Sequence, residues 1–335
     1  MRDTSLLTKA PYGVGVHWTS QTLPEDGQAP KSYREAVEEF DVCAFAGQLE
    51  EAGAGYLLFT ISHAQQYFAF PSALLDSVLP GRTSTRDLYA DLLTALEPLG
   101  IPLLFYYPSL GDETDPAWRE ASGYDSDPAY FARLQYALVS EIGHRYGGGL
   151  AGWWVDNCYD AAPYSGWGAG RGERYDYARY HEALSAGNGD RLIAFNLRGT
   201  DAWESRTCAG VADFAAGESN HLDRVPFGPR SGEGDSLWHG FVWMDDFWVH
   251  DKPGVPTPRF SDRHVADYLR YVHSAGGCFT YGTAPYLPGR ISEPVLRQLK
   301  ALKEEFQKEG APTHSRPDTA IKTVGLCHSA QATLE

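Results

Sequence analysis

Gly148-Gly149-Leu150-Ala151-Gly152-Trp153-Trp154-Val155-Asp156-Asn157 runs from a glycine pair through two tryptophans and a valine, then stops at a carboxylate. The apolar run is too short for a helix and is bounded by glycine on one side and Asp-Asn on the other, which marks a buried strand. It carries no polar alternation, as expected of a parallel strand covered on both faces. In an α/β barrel, polar residues at the C-terminal ends of strands face the active site. Asp156 is therefore the first candidate for chemistry, set against the plainer role of capping the turn that follows.

Outward from this stretch, similar short apolar runs recur. Residues 12–18 (YGVGVHW), 55–60 (GYLLFT) and 102–107 (PLLFYY) precede it; residues 191–196 (RLIAFN), 211–214, 237–242 (LWHGFV) and 277–281 (GCFTY) follow it. Helical spacing of apolar residues fills 33–52, 84–99, 127–146, 175–184, 262–275 and 293–308. Eight strands alternating with helices predict an α/β fold, a single-domain (β/α)8 TIM-like barrel. The 335-residue chain suits one such barrel, typically ~250 residues plus insertions. Residues 1–309 are assigned to the barrel, and the polar tail 310–335 is expected to be loosely ordered.

Composition narrows the function. Hydrophobic residues make up 43% of the chain, enough for a large core, and aromatic residues 13%, with nine Trp and twenty Tyr. Some of those rings must reach the surface, where they suit stacking on sugar faces. The net charge of −16 argues against nucleic acid, an anionic membrane or a heavily sulfated polymer as partner. The five cysteines are scattered without CxxC pairs, so neither a disulfide scaffold nor a metal site is expected. No cofactor is expected either. Residues 1–9 lack an apolar leader and no stretch is long enough to span a bilayer. The chain as written is expected in the cytoplasm, or outside the cell if a leader was removed. Its oligomeric state is left open.

His17, His63, Tyr107, Asp156, Arg198 and Glu218 fall at or just after the ends of six different strands. Each alone has a structural reading, such as a hydrogen-bonded histidine or a rim ion pair. Together they converge on the face where barrels do chemistry. Asp156 and Glu218 suit glycoside hydrolysis, one carboxylate attacking the anomeric carbon and the other serving the leaving oxygen and then water. Arg198 beside Asp156 would keep the nucleophile ionised, while Glu218 has no cation adjacent in sequence. Asp213, Glu233, Asp245 and Asp246 compete for the second role.

At these positions the chain resembles the family 29 glycoside hydrolases, the retaining α-L-fucosidases. Gly15-Val16-His17-Trp18 is similar to the family's FxHWG, and Phe40-Asp41 through Glu51-Ala52-Gly53-Ala54-Gly55-Tyr56 to its F-D to KEAGAKY stretch. Thr60-Ile61-Ser62-His63 resembles the start of T-x-K-H-H-D-G-F, and Arg86-Asp87-Leu88 the RD-[LIV]. Trp154-Val155-Asp156 resembles W-[FLI]-D, Asn196-Leu197-Arg198 resembles N-x-R, and Asp213-Phe214 through Glu218 resembles D-[FY]-x-T-P-E. Gly276-Gly277 resembles the pair before the last strand.

The resemblance implies that Asp156 is the nucleophile and Glu218 the acid/base, with His17, Trp18, His63, Tyr107, Trp154 and Arg198 contacting the sugar. It departs from the family at Ser62, Ala64, Gln65-Gln66 and Ala216-Gly217, and only 25 residues follow Gly310, too few for the family's C-terminal β-sandwich. The expected activity is exo-hydrolysis of a terminal α-L-fucose or similar α-L-sugar. The alternatives are an endo-acting hydrolase of a fucose-containing polysaccharide and a non-catalytic carbohydrate-binding barrel.

Overall fold

The computed structural model describes residues 2–28, 32–109, 115–158, 175–197, 211–231 and 235–309. Eight parallel strands form one curled sheet: β1 (Gly13–Val16), β2 (Leu57–Thr60), β3 (Leu103–Tyr107), β4 (Leu150–Val155), β5 (Leu192–Phe195), β6 (Glu218–Ser219), β7 (His239–Trp243) and β8 (Cys278–Thr283). Their order is β5-β4-β3-β2-β1-β8-β7-β6, so sequential strands are neighbours except β5 and β6, which stand at the two ends of the order, and β1 pairs with β8. This is the (β/α)8 architecture. The tail beginning at Gly310 lies outside the described residues.

The helices are α1 (Ser5–Thr8), α2 (Tyr33–Glu39), α3 (Val42–Ala52), α4 (Ala73–Val78), α5 (Leu88–Leu96), α6 (Pro116–Ala121), α7 (Pro128–Tyr146), α8 (Tyr177–Leu184), α9 (Asp262–Ser274) and α10 (Glu293–Glu309). Residues 33–52, expected as one helix, are two. Asp41 breaks them apart, because its side chain caps α3 by accepting from the Ala44 N–H at 2.9 Å, as an N-cap does. In the same way Asp87 caps α5, so that helix starts at Leu88 rather than Ser84. Among the described residues, no helix is long and apolar enough to cross a membrane.

The seam between β5 and β6 departs most from expectation. The sixth strand was expected at 211–214 but is Glu218–Ser219. The expected segment nevertheless joins the seam, through Asp213 and through a parallel bridge from Phe214 to Leu237. The Asp213 N–H donates to the Ile193 carbonyl at 2.8 Å, and the Ile193 N–H donates to Asp213 Oδ2 at 3.0 Å. On the other side Leu237 N donates to the Asp213 carbonyl at 2.9 Å. Arg2 holds the same carboxylate at 2.9 Å.

Successive strand residues point to opposite faces of the sheet. Leu58, Leu104, Tyr106, Trp154, Ala194 and Phe241 pack together inside the barrel. Leu57, Phe59, Phe105, Tyr107, Trp153 and Val155 pack outward against the helices. Which strand-end residues reach the mouth follows from this parity.

Candidate active site

β4 delivers Asp156 to the mouth. Its N–H donates to the Tyr107 carbonyl at 2.8 Å, continuing the β3–β4 ladder, and Trp154, two residues back, faces inward. Asn157 then turns the chain away with φ +57°, a left-handed conformation that Asn tolerates, and its side chain donates to the Pro108 carbonyl at 2.9 Å. Asp156 is 7% exposed. Tyr106 Oη donates to its Oδ2 at 2.5 Å, and Asn196 Nδ2 donates to its Oδ1 at 2.9 Å.

Glu218 reaches the same point from β6. Gly217 before it has φ +64°, and a Cβ there would lie 1.8 Å from the His239 carbonyl oxygen, so only glycine fits. The carbonyl of Ala216 accepts from Trp154 Nε1 at 2.9 Å and faces His239 Nδ1 at 3.0 Å. These two rings fix the segment that presents Glu218. Asn196 Nδ2 donates to Glu218 Oε2 at 2.5 Å as well as to Asp156. Bonds of 2.9 and 2.5 Å to one nitrogen hold the two carboxylate oxygens no more than 5.4 Å apart, the sum of the bonds.

Rings wall the space around the pair. Tyr106 stacks on Trp154 at 5.2 Å. The His17 ring lies 4.4 Å from Tyr106, 4.9 Å from His63 and 4.7 Å from Trp243, and Trp248 packs 4.2 Å from Trp243. Burial, and then the neighbouring His63, hold the His17 imidazole well below its ordinary pKa, so it is neutral. Neither ring nitrogen of His17, nor Nε1 of Trp243, has a hydrogen-bond partner among the described residues. Buried polar atoms are rarely left so, and an imidazole and an indole N–H facing a mouth suit the hydroxyls of a small polyol.

Gln65, which forms a β-bridge with His63, lines a cleft of about 540 Å³ together with Ser20, Ser32, Tyr33, Tyr67 and Thr83, among others. Gln65 closes one wall by accepting from Ser20 Oγ at 3.1 Å.

The structure thus brings together Asp156, Glu218, His17, His63 and Trp154. It places two expected residues elsewhere. Trp18 is buried on the outer face against Phe40, 5.1 Å away, and its Nε1 donates to the Leu287 carbonyl at 2.7 Å. Tyr107 also points outward, donating to Gln135 Oε1 at 2.6 Å. Each is one residue off the inward parity, and Tyr106 stands where Tyr107 was expected. Arg198 and Glu233 lie outside the described residues. Asp245 follows the end of β7, but Thr283 Oγ1, Ala284 N and Phe247 N occupy its oxygens at 2.5–3.0 Å, and burial pushes its pKa up to about 7. Asp246 is exposed and accepts from Thr257 at 2.7 Å. Asp213 is engaged at the seam. Among the described residues, no group of three or more His, Cys, Asp or Glu could hold a metal ion.

Sequence reasoning passed over Tyr106, Trp243 and the side chain of Asn196. The parity of Trp154 and Asp156, carried across the Tyr106–Trp154 register, is the signal that marks Tyr106.

An α-L-fucosidase family model matches residues 8–310. Curated proteins yield no match. Among solved structures, α-L-fucosidase isoenzyme 1 from Paenibacillus thiaminolyticus superposes with TM-score 0.66 at 19% identity, covering 90% of this chain and 74% of that one. An endo-fucoidan hydrolase of glycoside hydrolase family 107 gives 0.65 at 15% identity, covering 91% and 93%. An α-L-fucosidase from Lactobacillus casei in complex with α-L-fucose gives 0.63 at 15%, covering 91% and 98%. At these identities the likeness is one of fold.

Proposed function

The chain belongs to the α-L-fucosidase family over residues 8–310, and on that premise we propose that this glycosidase releases terminal α-L-fucose by double displacement. Asp156 attacks the anomeric carbon as the bond to the leaving oxygen breaks, and Glu218 gives that oxygen its proton. The Glu218 carboxylate then takes a proton from water, whose oxygen displaces Asp156 and leaves the sugar with its original anomeric configuration.

The observation that carries the reading is the shared donor Asn196, which keeps one oxygen of each carboxylate, Asp156 Oδ1 and Glu218 Oε2, within 5.4 Å of the other. Retaining pairs stand ~5–5.5 Å apart, and inverting pairs need ~6.5–9.5 Å to admit a water between them. His17 and Trp243 Nε1 supply hydroxyl partners, and the surrounding rings suit a sugar bearing a methyl group in place of a hydroxymethyl. Arg198 and His63 join this set as sugar contacts. A barrel that only bound carbohydrate would need neither carboxylate.

The test is proton NMR of 4-nitrophenyl α-L-fucoside hydrolysis, following the anomer that forms first. The α anomer supports double displacement; the β anomer, or no hydrolysis while another glycoside is cleaved, sinks it. The cleft beside His63 favours one second reading, endo action on a fucose-containing polymer. In the exo reading the same cleft takes the leaving saccharide. Product length on a fucosylated oligosaccharide separates the two.

A further inference from the structure

We propose that Asn196 is a positioning residue for both chemical steps, its one amide nitrogen orienting Asp156 through Oδ1 and Glu218 through Oε2 so that Glu218 carries its transferable proton on Oε1. This rests on the pair of roles proposed above. An amide nitrogen has two N–H bonds and accepts nothing. One N–H goes to each carboxylate, at 2.9 Å and 2.5 Å. The amide oxygen cannot take that place, since it would set a lone pair against an ionised carboxylate. With Oε2 accepting from the amide, the acidic hydrogen belongs on Oε1, which is then the oxygen offered to the leaving group.

The backbone makes the amide a rigid reference. Asn196 follows β5 with inward parity and is 3% exposed. Its N–H donates to the Val155 carbonyl at 2.7 Å, and its own carbonyl accepts from Cys158 N at 3.2 Å, so it is tied to the chain on both sides of Asp156. Tyr106 holds the other Asp156 oxygen, which fixes the plane of that carboxylate.

The amide also suits the movement of charge. In the first step the negative charge leaves Asp156, whose oxygen becomes an ester, and appears on Glu218 as the proton departs. A hydrogen bond strengthens when its acceptor becomes ionised, so the amide's stronger bond passes from Asp156 to Glu218, and returns in the second step. A cation in this place would favour both carboxylates ionised at once and strip Glu218 of the proton it must deliver.

The experiment compares Asn196→Asp and Asn196→Ala with wild type, using an α-L-fucosyl disaccharide and 4-nitrophenyl α-L-fucoside. Asn196→Asp keeps the shape and loses the donor. Asn196→Ala should melt within a few degrees of wild type and Asn196→Asp lower, since it brings a third carboxyl group to the pair, and both should lower kcat on the disaccharide by roughly 10²-fold, the usual effect of removing one preorganised donor. KM should change less than about 3-fold, because the donor acts on the pair rather than on bound sugar. The loss should be smaller on the nitrophenyl substrate, whose leaving group needs little acid. A purely spatial role would leave Asn196→Asp near wild-type kcat, and that result overturns the proposal. So does a rise in KM at unchanged kcat, which would make Asn196 a sugar contact. If Asn196→Ala fails to fold, Asn196→Asp alone decides. An inert wild type would remove the double-displacement reading itself, whereas an active wild type with an active Asn196→Asp removes only the role of Asn196.

Discussion

The indole N–H of Trp154 donates to the carbonyl of Ala216 at 2.9 Å, tying the strand that ends in Asp156 to the segment that presents Glu218. The two segments are not neighbours in the sheet, so this bond crosses the barrel interior. Trp154→Phe keeps a ring against Tyr106 but removes the donor. It should destabilise the fold by about 1 kcal/mol and lower kcat/KM more on a disaccharide than on 4-nitrophenyl α-L-fucoside, because Glu218, the acid/base we propose, is what loses its support. Equal losses on both substrates would mean that the bond serves the fold alone.

Asp156→Asn should lower kcat by roughly 10³-fold or more, since covalent catalysis has no substitute nucleophile. Melting should stay within a few degrees, as the amide keeps the size of the group. Near-normal turnover by the folded variant would end the assignment.

Glu218→Ala should lose far more activity on a natural linkage than on an activated aryl fucoside. Azide, which needs no base to attack, should restore turnover of the aryl substrate. If both substrates suffer alike and azide does nothing, the acid/base lies elsewhere.

Tyr106→Phe and Tyr107→Phe form a matched pair. The first removes a donor to Asp156 Oδ2 and should cut kcat/KM by roughly 10-fold or more at little change in melting. The second breaks a buried bond to Gln135 and should cost about 1–2 kcal/mol of stability with unchanged kinetics. The opposite pattern would place Tyr107 at the mouth.

Stability should respond to acid through the buried His239, whose pKa burial lowers to about 4 against the opposing bonds to Ala215 and Ala216. A histidine depressed in the folded state is protonated first in the unfolded chain. Its contribution is therefore complete above the ordinary value of 6.5 and is lost as pH falls toward 4. The lost stability is on the order of 3 kcal/mol. Asp245, raised to about 7, works in the other direction over an overlapping range, since its folded form holds a proton that the unfolded form gives up. Thermal melts at pH 7 and pH 4.5 should show a smaller acid-induced drop for His239→Gln than for wild type. An equal or larger drop would remove His239 as a source of acid lability.

Seven of the eight strands, most helix boundaries and the carboxylate closing β4 were legible in the sequence because each has a local signal: an unbroken apolar run, a capping Asp, a polar residue where the run stops. The motif order around Asp156 and Glu218 was legible for the same reason. Which neighbour faces inward was not. A parallel strand buried on both faces carries no alternation to record its parity, so His17 and Trp18, or Tyr106 and Tyr107, look alike until the register with adjacent strands is set. The sixth strand lies later than the sequence suggests because the segment 211–214 forms no ladder, only the Asp213 bonds to Ile193 and an isolated bridge from Phe214 to Leu237. The meeting of Asp156 and Glu218 on one amide hydrogen-bond donor depended on the curl of the whole sheet, which brings residues 40 and 22 positions from Asn196 to the same nitrogen.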